Sequence, residues 1–436
     1  MNRFIKRLQW SQAGGWISGL GGDITIVLVV LVATAFAERT VEGYLKEGFD
    51  AGSLKGPEDD DHKKPFNIIC KEKGYPFETH KVLTEDRYWL TLFRIPGAKG
   101  ETREEAIAQR KPAIFLQHGI LDSADTWIMH YEDEAPAFVL ANAGYDVWLG
   151  NTRGNKYSRE HQTLNPDYSD EKEEFWDFSF QEMAQYDVPA NIDYIREETG
   201  KWRIGVMAHS QGTTQMYIRM TQDNSWWKWR VAVFVSLAGV ARLDHCGSSL
   251  LTTLAQHESL IENIKRLGVY EMFPADYLQS AAFSRICKGF PIVCKLAIQL
   301  VANENKELDE EKRLATFMGH YPSGCSLKSL HHFSQILNSK RFQNFDYGKE
   351  KNLEIYGDEI PPEYDFSNIY GNKIIQVYGT ADLLATPEDS LWLKEQLGDN
   401  LIFSQEYDLG HMSFLLAANM TFFDDVMEVL QENTWW

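Results

Sequence analysis

Apolar and polar residues alternate between Phe77 and Ile95 in two runs flanking Thr84-Glu85-Asp86-Arg87, a pattern that predicts an antiparallel hairpin. Beyond it the pattern changes. Short apolar runs recur at Pro112–Gln117, Tyr145–Leu149, Ile204–Met207, Val231–Val240, Lys373–Tyr378 and Leu401–Glu406, and each reads as a buried strand. Apolar residues fall at helical spacing over Glu182–Glu198, Thr213–Met220, Pro387–Leu397 and Ser413–Leu430, with Pro189 expected to kink the first of these. Strands alternating with helices of this length predict an α/β fold, a mostly parallel sheet with helices on both faces.

The alternation stops between Ala241 and Phe345. That stretch is helical in pattern at Leu250–Leu267 and Ile292–Val301, with breaks at Phe273-Pro274, Phe290-Pro291 and Tyr321-Pro322. An insertion at this point of an α/β sheet is expected over the carboxyl ends of the strands, where such sheets bind ligands, so residues 241–345 read as a cap walling an apolar pocket. The plainer alternative is a helical subdomain that only adds bulk. Residues 67–436 then form one domain with the cap inserted in it. Residues 38–66 read as a connector, because Ser53–Pro65 is too charged to bury and carries too few apolar residues to pack.

At the amino end, Arg3, Lys6 and Arg7 precede an uninterrupted apolar run, Ile24–Ala37, that closes on Thr-Ala-Phe-Ala. Residues 1–37 are expected to be a secretory signal peptide cleaved after Ala37. The alternative is a retained membrane anchor using residues 10–37, with the positive end inside and the body on the non-cytoplasmic side.

Composition narrows the classes. In 436 residues, 44% hydrophobic and 13% aromatic, the chain has the make-up of a globular protein. A net charge of −20 argues against a nucleic-acid-binding role, which needs a basic face. Five cysteines are too few for a disulfide scaffold; Cys287 and Cys294 are close enough to bridge within the cap. No metal or cofactor is expected. His331 and His332 lack spaced partners, and no glycine-rich phosphate loop follows a strand. Asn419-Met-Thr421 is a glycosylation sequon on a predicted helix.

The chemistry centres on Ala208-His209-Ser210-Gln211-Gly212, the only Ser-x-Gly in the chain, set between a predicted strand and a predicted helix. That context is a nucleophile elbow, a sharp turn that lifts the serine hydroxyl clear of the sheet and presses the residues two before and two after it together. Ala208 and Gly212 hold those small places. A buried serine that merely ends a strand is the bland alternative. A serine hydroxyl needs a base, an orienter for the base, and donors for the oxyanion that forms. On an α/β-hydrolase sheet these partners follow in the order serine, acid, histidine. His411 is the one histidine beyond residue 332 and directly follows the last strand. Asp382 ends the preceding strand and is preferred to Asp389, inside the next helix, and to Asp408, three residues before His411. The oxyanion donors are expected to be the N–H groups of Gln211 and Ile120, with Gly119 letting the backbone come close. His118 and His209 either brace the site or simply pack.

The residues also carry a resemblance. The chain is similar to the acid lipases, which include gastric, lingual and lysosomal acid lipases, from about Cys70 to Val429. The shared stretches are Gly74-Tyr-Pro76, Thr84-Glu-Asp86, Arg94-Ile-Pro96, Leu116-Gln-His-Gly119, Asp122-Ser-Ala124, Gly144-Tyr-Asp-Val-Trp-Leu-Gly-Asn-Thr-Arg-Gly-Asn155, Phe175-Trp-Asp-Phe-Ser179, Glu182-Met-Ala184 and His209-Ser-Gln-Gly-Thr-Thr214. The resemblance implies the α/β-hydrolase fold with a helical cap. It implies hydrolysis of neutral lipid esters such as triacylglycerols or sterol esters at a lipid–water interface, and a place in the secretory pathway, lysosomal or extracellular. By motif the family's nucleophile, acid and base fall on Ser210, Asp382 and His411, and its oxyanion donors on Ile120 and Gln211. Ala208 and Arg87 depart from it, standing where the family usually has glycine. Two other readings stand beside the hydrolase: a catalytically silent lipase-fold subunit anchored in a membrane assembly, and an acyltransferase using the same triad.

Overall fold

The alternating run folds back on itself as expected. In the computed structural model, which describes residues 60–274 and 308–434, strands β1 (Glu78–Leu83) and β2 (Tyr88–Ile95) pair antiparallel, from Glu78 opposite Arg94 to Leu83 opposite Trp89. Arg87 closes their turn at φ 76, its N–H donating to the Thr84 carbonyl at 3.0 Å. The left-handed region is the reason a glycine would suit this position. The expectations for residues 1–37, for the connector up to residue 59, for Ile292–Val301, for the Phe290-Pro291 break and for a Cys287–Cys294 bridge lie outside the described residues.

Strands β3 (Ala113–Gln117), β4 (Asp146–Leu149), the two-residue β5 (Glu160–His161), β6 (Ile204–His209) and β7 (Val231–Leu237) follow. After the insertion, with its two-residue strands β8 (Glu271–Met272) and β9 (Cys325–Ser326), come β10 (Ile374–Gly379) and β11 (Leu401–Tyr407). The main sheet runs in the order β1-β2-β4-β3-β6-β7-β10-β11, with β5 on β2, and every pairing from β4 onward is parallel. All residues of β3, β4, β6 and β10 are buried, as a sheet covered on both faces requires. Among the described residues no helix is long and apolar enough to cross a membrane.

Several expected elements take a different form, each for a local reason. The segment around Pro189 is a helix over Val188–Thr199 preceded by a π-helical turn, Met183–Asp187, in place of one kinked helix. Proline lacks an N–H and its ring crowds the carbonyl four residues earlier, so the turn just upstream widens. The expected β7 extension to Val240 stops at Leu237, because Ala238 turns away at φ 49. Leu250–Leu267 is two helices, Ser249–Gln256 and Glu258–Arg266, separated at His257. Ser413–Leu430 is likewise broken: Ser413–Leu416 ends where Ala417 becomes extended, and the helix resumes over Phe422–Thr434. The break lets this chain pair with the end of the insertion, Ala418 N–H donating to Leu308 and Glu310 N–H to Leu416, both at 2.8 Å. The sequon Asn419-Met-Thr421 therefore sits in a loop, with Asn419 exposed, and not on a helix.

The end of the expected connector is also not loose. Asp61 is only 4% exposed despite the charge around it. Lys64 and Lys73 each approach its carboxylate to 3.3 Å and Arg313 to 3.6 Å, so burial is compensated by opposite charge.

Candidate active site

Strand β6, buried between β3 and β7, ends at His209, and Ser210 follows it. That residue has φ 52 and ψ −126 and leads straight into the helix Gln211–Gln222. A non-glycine residue held at positive φ stores strain of about 1–3 kcal/mol and persists only where its surroundings fix it. They do so here. Ser210 N–H donates to the Leu237 carbonyl at 3.2 Å, and the Ser210 carbonyl accepts from the Thr213 hydroxyl at 2.6 Å and from Thr213 N–H at 2.8 Å. Gly212 is required by the neighbouring strand. A Cβ there would lie 2.6 Å from the Gln117 carbonyl oxygen and 2.8 Å from that of His118. The chain at the end of β3 by itself requires a small residue at position 212. Ala208 is fully buried in register with Gln117 on one side and Ser236 on the other.

His411 lies in the loop after β11. Its Nε2 is 2.7 Å from Ser210 Oγ and its Nδ1 is 2.8 Å from Asp382 Oδ2. The three side chains are nearly closed off, Ser210 5%, Asp382 3% and His411 2% exposed. The other oxygen, Asp382 Oδ1, accepts from Leu384 N–H at 2.7 Å and Ala385 N–H at 2.8 Å, so two backbone amides aim the carboxylate. A carboxylate on Nδ1 makes that nitrogen the proton donor and leaves Nε2 free to accept from the serine. The rival acids are engaged elsewhere. Asp389 holds His245, at 2.8 Å to Nδ1 and 3.0 Å to N–H, and Asp408 accepts from the Thr380 hydroxyl at 3.0 Å.

Two contacts hold the histidine loop that sequence reasoning did not find. Gly410 N–H donates to Ser413 Oγ at 3.0 Å, and that hydroxyl donates to Asp309 Oδ1 at 2.6 Å. Asp309 sits in the insertion, about a hundred positions away; a lone aspartate there and a serine after the histidine are ordinary residues that give no signal. His209, only 2% exposed, donates from Nε2 to the His411 carbonyl at 2.8 Å. Burial, reinforced by the neighbouring His411, holds His209 well below the ordinary histidine range.

The loop after β3 closes the other side. A Cβ on Gly119 would stand 3.0 Å from Ser210 Cβ and 3.4 Å from Ser210 Oγ, so the backbone at 118–121 passes directly against the serine. Ile120 is half-buried there, Leu121 follows at φ 61, and Gln211 is buried at the start of its helix. Burial pushes His118 down to about 4 and Asp122 up to about 7. Among the described residues no group of three or more His, Cys, Asp or Glu could hold a metal ion; His332 is used by Ser179 Oγ and the Gln343 carbonyl, both at 3.0 Å.

A mostly parallel sheet with a strained serine between strand and helix defines an α/β hydrolase, and the chain is a carboxylic ester hydrolase. Residues 66–131 match the family described as the partial alpha/beta-hydrolase lipase region, and residues 112–245 match the alpha/beta hydrolase fold. The chain is 35% identical to gastric triacylglycerol lipase of Bos taurus, and 35% identical to that of Homo sapiens, each over 83% of this chain and 89% of the relative. It is 32% identical to Lipase lipl-5 of Caenorhabditis elegans over 79% of this chain and 86% of that one. The chain belongs to the acid lipase family.

Proposed function

We propose that this lipase hydrolyses neutral lipid esters, triacylglycerols or sterol esters, through an acyl-enzyme on Ser210. The observation that carries the reading is the unbroken chain from Ser210 Oγ to His411 Nε2 at 2.7 Å and from His411 Nδ1 to Asp382 Oδ2 at 2.8 Å. Ser210 Oγ attacks the ester carbonyl carbon as its proton passes to His411 Nε2. Asp382 keeps the imidazole in the accepting tautomer and stabilises the imidazolium. The backbone N–H groups of Ile120 and Gln211 receive the oxyanion, a role supported by the approach of Gly119 to Ser210. Collapse of the tetrahedral species expels the alcohol, which takes the proton back from His411. Water then attacks the acyl-enzyme by the same route and releases the fatty acid.

In this reading residues 67–436 are the catalytic domain and 241–345 the cap that walls the acyl chain. The substrate class is supported by the gastric triacylglycerol lipases among the relatives. The apolar run at residues 24–37 supports a place in the secretory pathway, lysosomal or extracellular, or membrane association through residues 10–37. Labelling of the full chain with a fluorophosphonate, beside Ser210→Ala and alongside turnover of a triacylglycerol emulsion, tests the mechanism. Wild type should label once and hydrolyse the emulsion, and Ser210→Ala should do neither, with a loss in kcat of ~10³-fold or more. Labelling or turnover that survives the substitution would sink it.

A further inference from the structure

The hydrogen bonds around His118 settle which of its nitrogens carries the proton. Nε2 lies 3.2 Å from Thr152 N, and a backbone amide can only donate. Nε2 also lies 3.2 Å from the Asn155 side-chain nitrogen. That amide is not flipped: Asn155 Oδ1 accepts from Tyr157 N–H at 3.0 Å and from Ser158 N–H at 3.1 Å, so its nitrogen faces the imidazole. Two donors converge on Nε2, which is therefore the acceptor. The proton sits on Nδ1, 2.7 Å from the Gly119 carbonyl oxygen, which it donates to.

The Gly119–Ile120 peptide is trans, since the one cis bond among the described residues is Tyr321-Pro322. In a planar trans peptide the C=O and the following N–H point in opposite directions. Pinning the Gly119 oxygen on one side therefore fixes the direction of Ile120 N–H on the other. As a glycine, residue 119 has wide backbone freedom of its own, and a Cβ there would press on Ser210 Cβ at 3.0 Å.

We infer that His118 is a positioning residue for the oxyanion hole, its Nδ1–H holding the Gly119 carbonyl so that Ile120 N–H stays aimed at the developing oxyanion. The inference rests on the proposed hydrolytic reading of Ser210 and adds to it a group that never touches substrate. At 1% exposure the ring is out of solvent, and burial keeps it neutral into acid, so the donor tautomer is kept there too.

The test pairs His118→Asn with His118→Gln, because asparagine places an amide near the Nδ1 position and glutamine near Nε2. On a soluble p-nitrophenyl ester, His118→Gln should lower kcat by ~10²–10³-fold, the loss typical of one oxyanion donor, with KM little changed. His118→Asn, which keeps a donor for the Gly119 carbonyl, should stay within about tenfold of wild type, well short of the loss of a whole oxyanion donor. Affinity for a trifluoromethyl ketone, which forms an oxyanion on the serine, should fall in step with kcat/KM, while affinity for the fatty acid product should not. Equal kcat in the two variants would overturn the role of His118 and leave the serine mechanism standing. A wild-type protein without Ser210-dependent turnover would overturn both. Nitrogen-15 spectra of wild-type protein need no folded variant: His118 protonated at Nδ1 is the expected result, and an Nε2–H tautomer overturns the assignment.

Discussion

Ser210 and Arg87 both occupy the left-handed region, at φ 52 and 76, but for opposite reasons. At Ser210 the strain places the hydroxyl on His411, and the surrounding hydrogen bonds hold it there. At Arg87 the side chain is exposed and the turn is closed by Thr84, whose carbonyl accepts from Arg87 N–H and whose Oγ1 accepts from Tyr88 N–H at 2.8 Å, so the strain does nothing for the site. Arg87→Gly should therefore raise stability, by up to about 1 kcal/mol after the extra freedom of glycine in the unfolded chain is subtracted, read as a higher urea midpoint with turnover unchanged. Asp382 offers the contrasting case. Asp382→Asn keeps an oxygen for the Leu384 and Ala385 amides, yet it removes the charge that holds Nδ1 as donor. A loss in kcat of ~10⁴-fold with little change in unfolding temperature is expected, and a loss below tenfold would return Asp389 or Asp408 to consideration. Gly212→Ala should fail differently. Its Cβ would meet the backbone carbonyls of Gln117, at the end of β3, and of His118 just beyond it, which cannot rotate away, so the variant should lose on the order of 1–3 kcal/mol of stability as well as activity.

At the scale of elements, the sheet was legible because its central strands are buried on both faces, which forces continuous apolar runs such as Ile114–Leu116 and Val233–Val235. The candidate site was legible for a related reason: Ser210, Asp382 and His411 each stand at the carboxyl end of a strand, so chain order alone ranks them. The misread elements depend on contacts distant in sequence. Nothing near Ala417 announces that its backbone will pair with Asp309, and nothing near Asp61 announces Arg313. The same blindness hid the Asp309–Ser413–Gly410 link, which ties the end of the insertion to the loop carrying His411. Ser413→Ala would leave Gly410 N–H and the Asp309 carboxylate each without that partner in a buried place. A stability loss of about 1–3 kcal/mol is expected, with a fall in kcat larger than in KM because the base loses its seat. Unchanged kcat in a destabilised protein would show the link to be structural only.

For the whole molecule, a charge of −20 says little about its response to pH, which is set by the buried groups. They divide into two sets with opposite signs. Burial pushes His118 to about 4 and His332 to about 3, so each is neutral when folded while its unfolded form binds a proton below the usual histidine value. Their contribution is complete above that value and is lost as pH falls toward 4 and 3. Burial pushes Asp122 up to about 7. It keeps its proton when folded after the unfolded chain has released one near 4. Its contribution is complete in acid and is lost as pH rises to 7. Asp122 can be isolated from the rest, because Asp122→Asn preserves an acceptor for Ser123 N–H, which donates to Oδ1 at 2.7 Å, and cannot ionise. The stability of wild type minus that of the variant should be flat below about pH 4 and then fall by on the order of 2–4 kcal/mol by pH 7, a slope of about 1.4 kcal/mol per pH unit. Urea titrations at half-unit steps read this difference directly. Parallel curves for the two proteins would mean that Asp122 ionises in the folded state as it does in the unfolded one, and that the carboxyl beside the oxyanion loop is not held neutral.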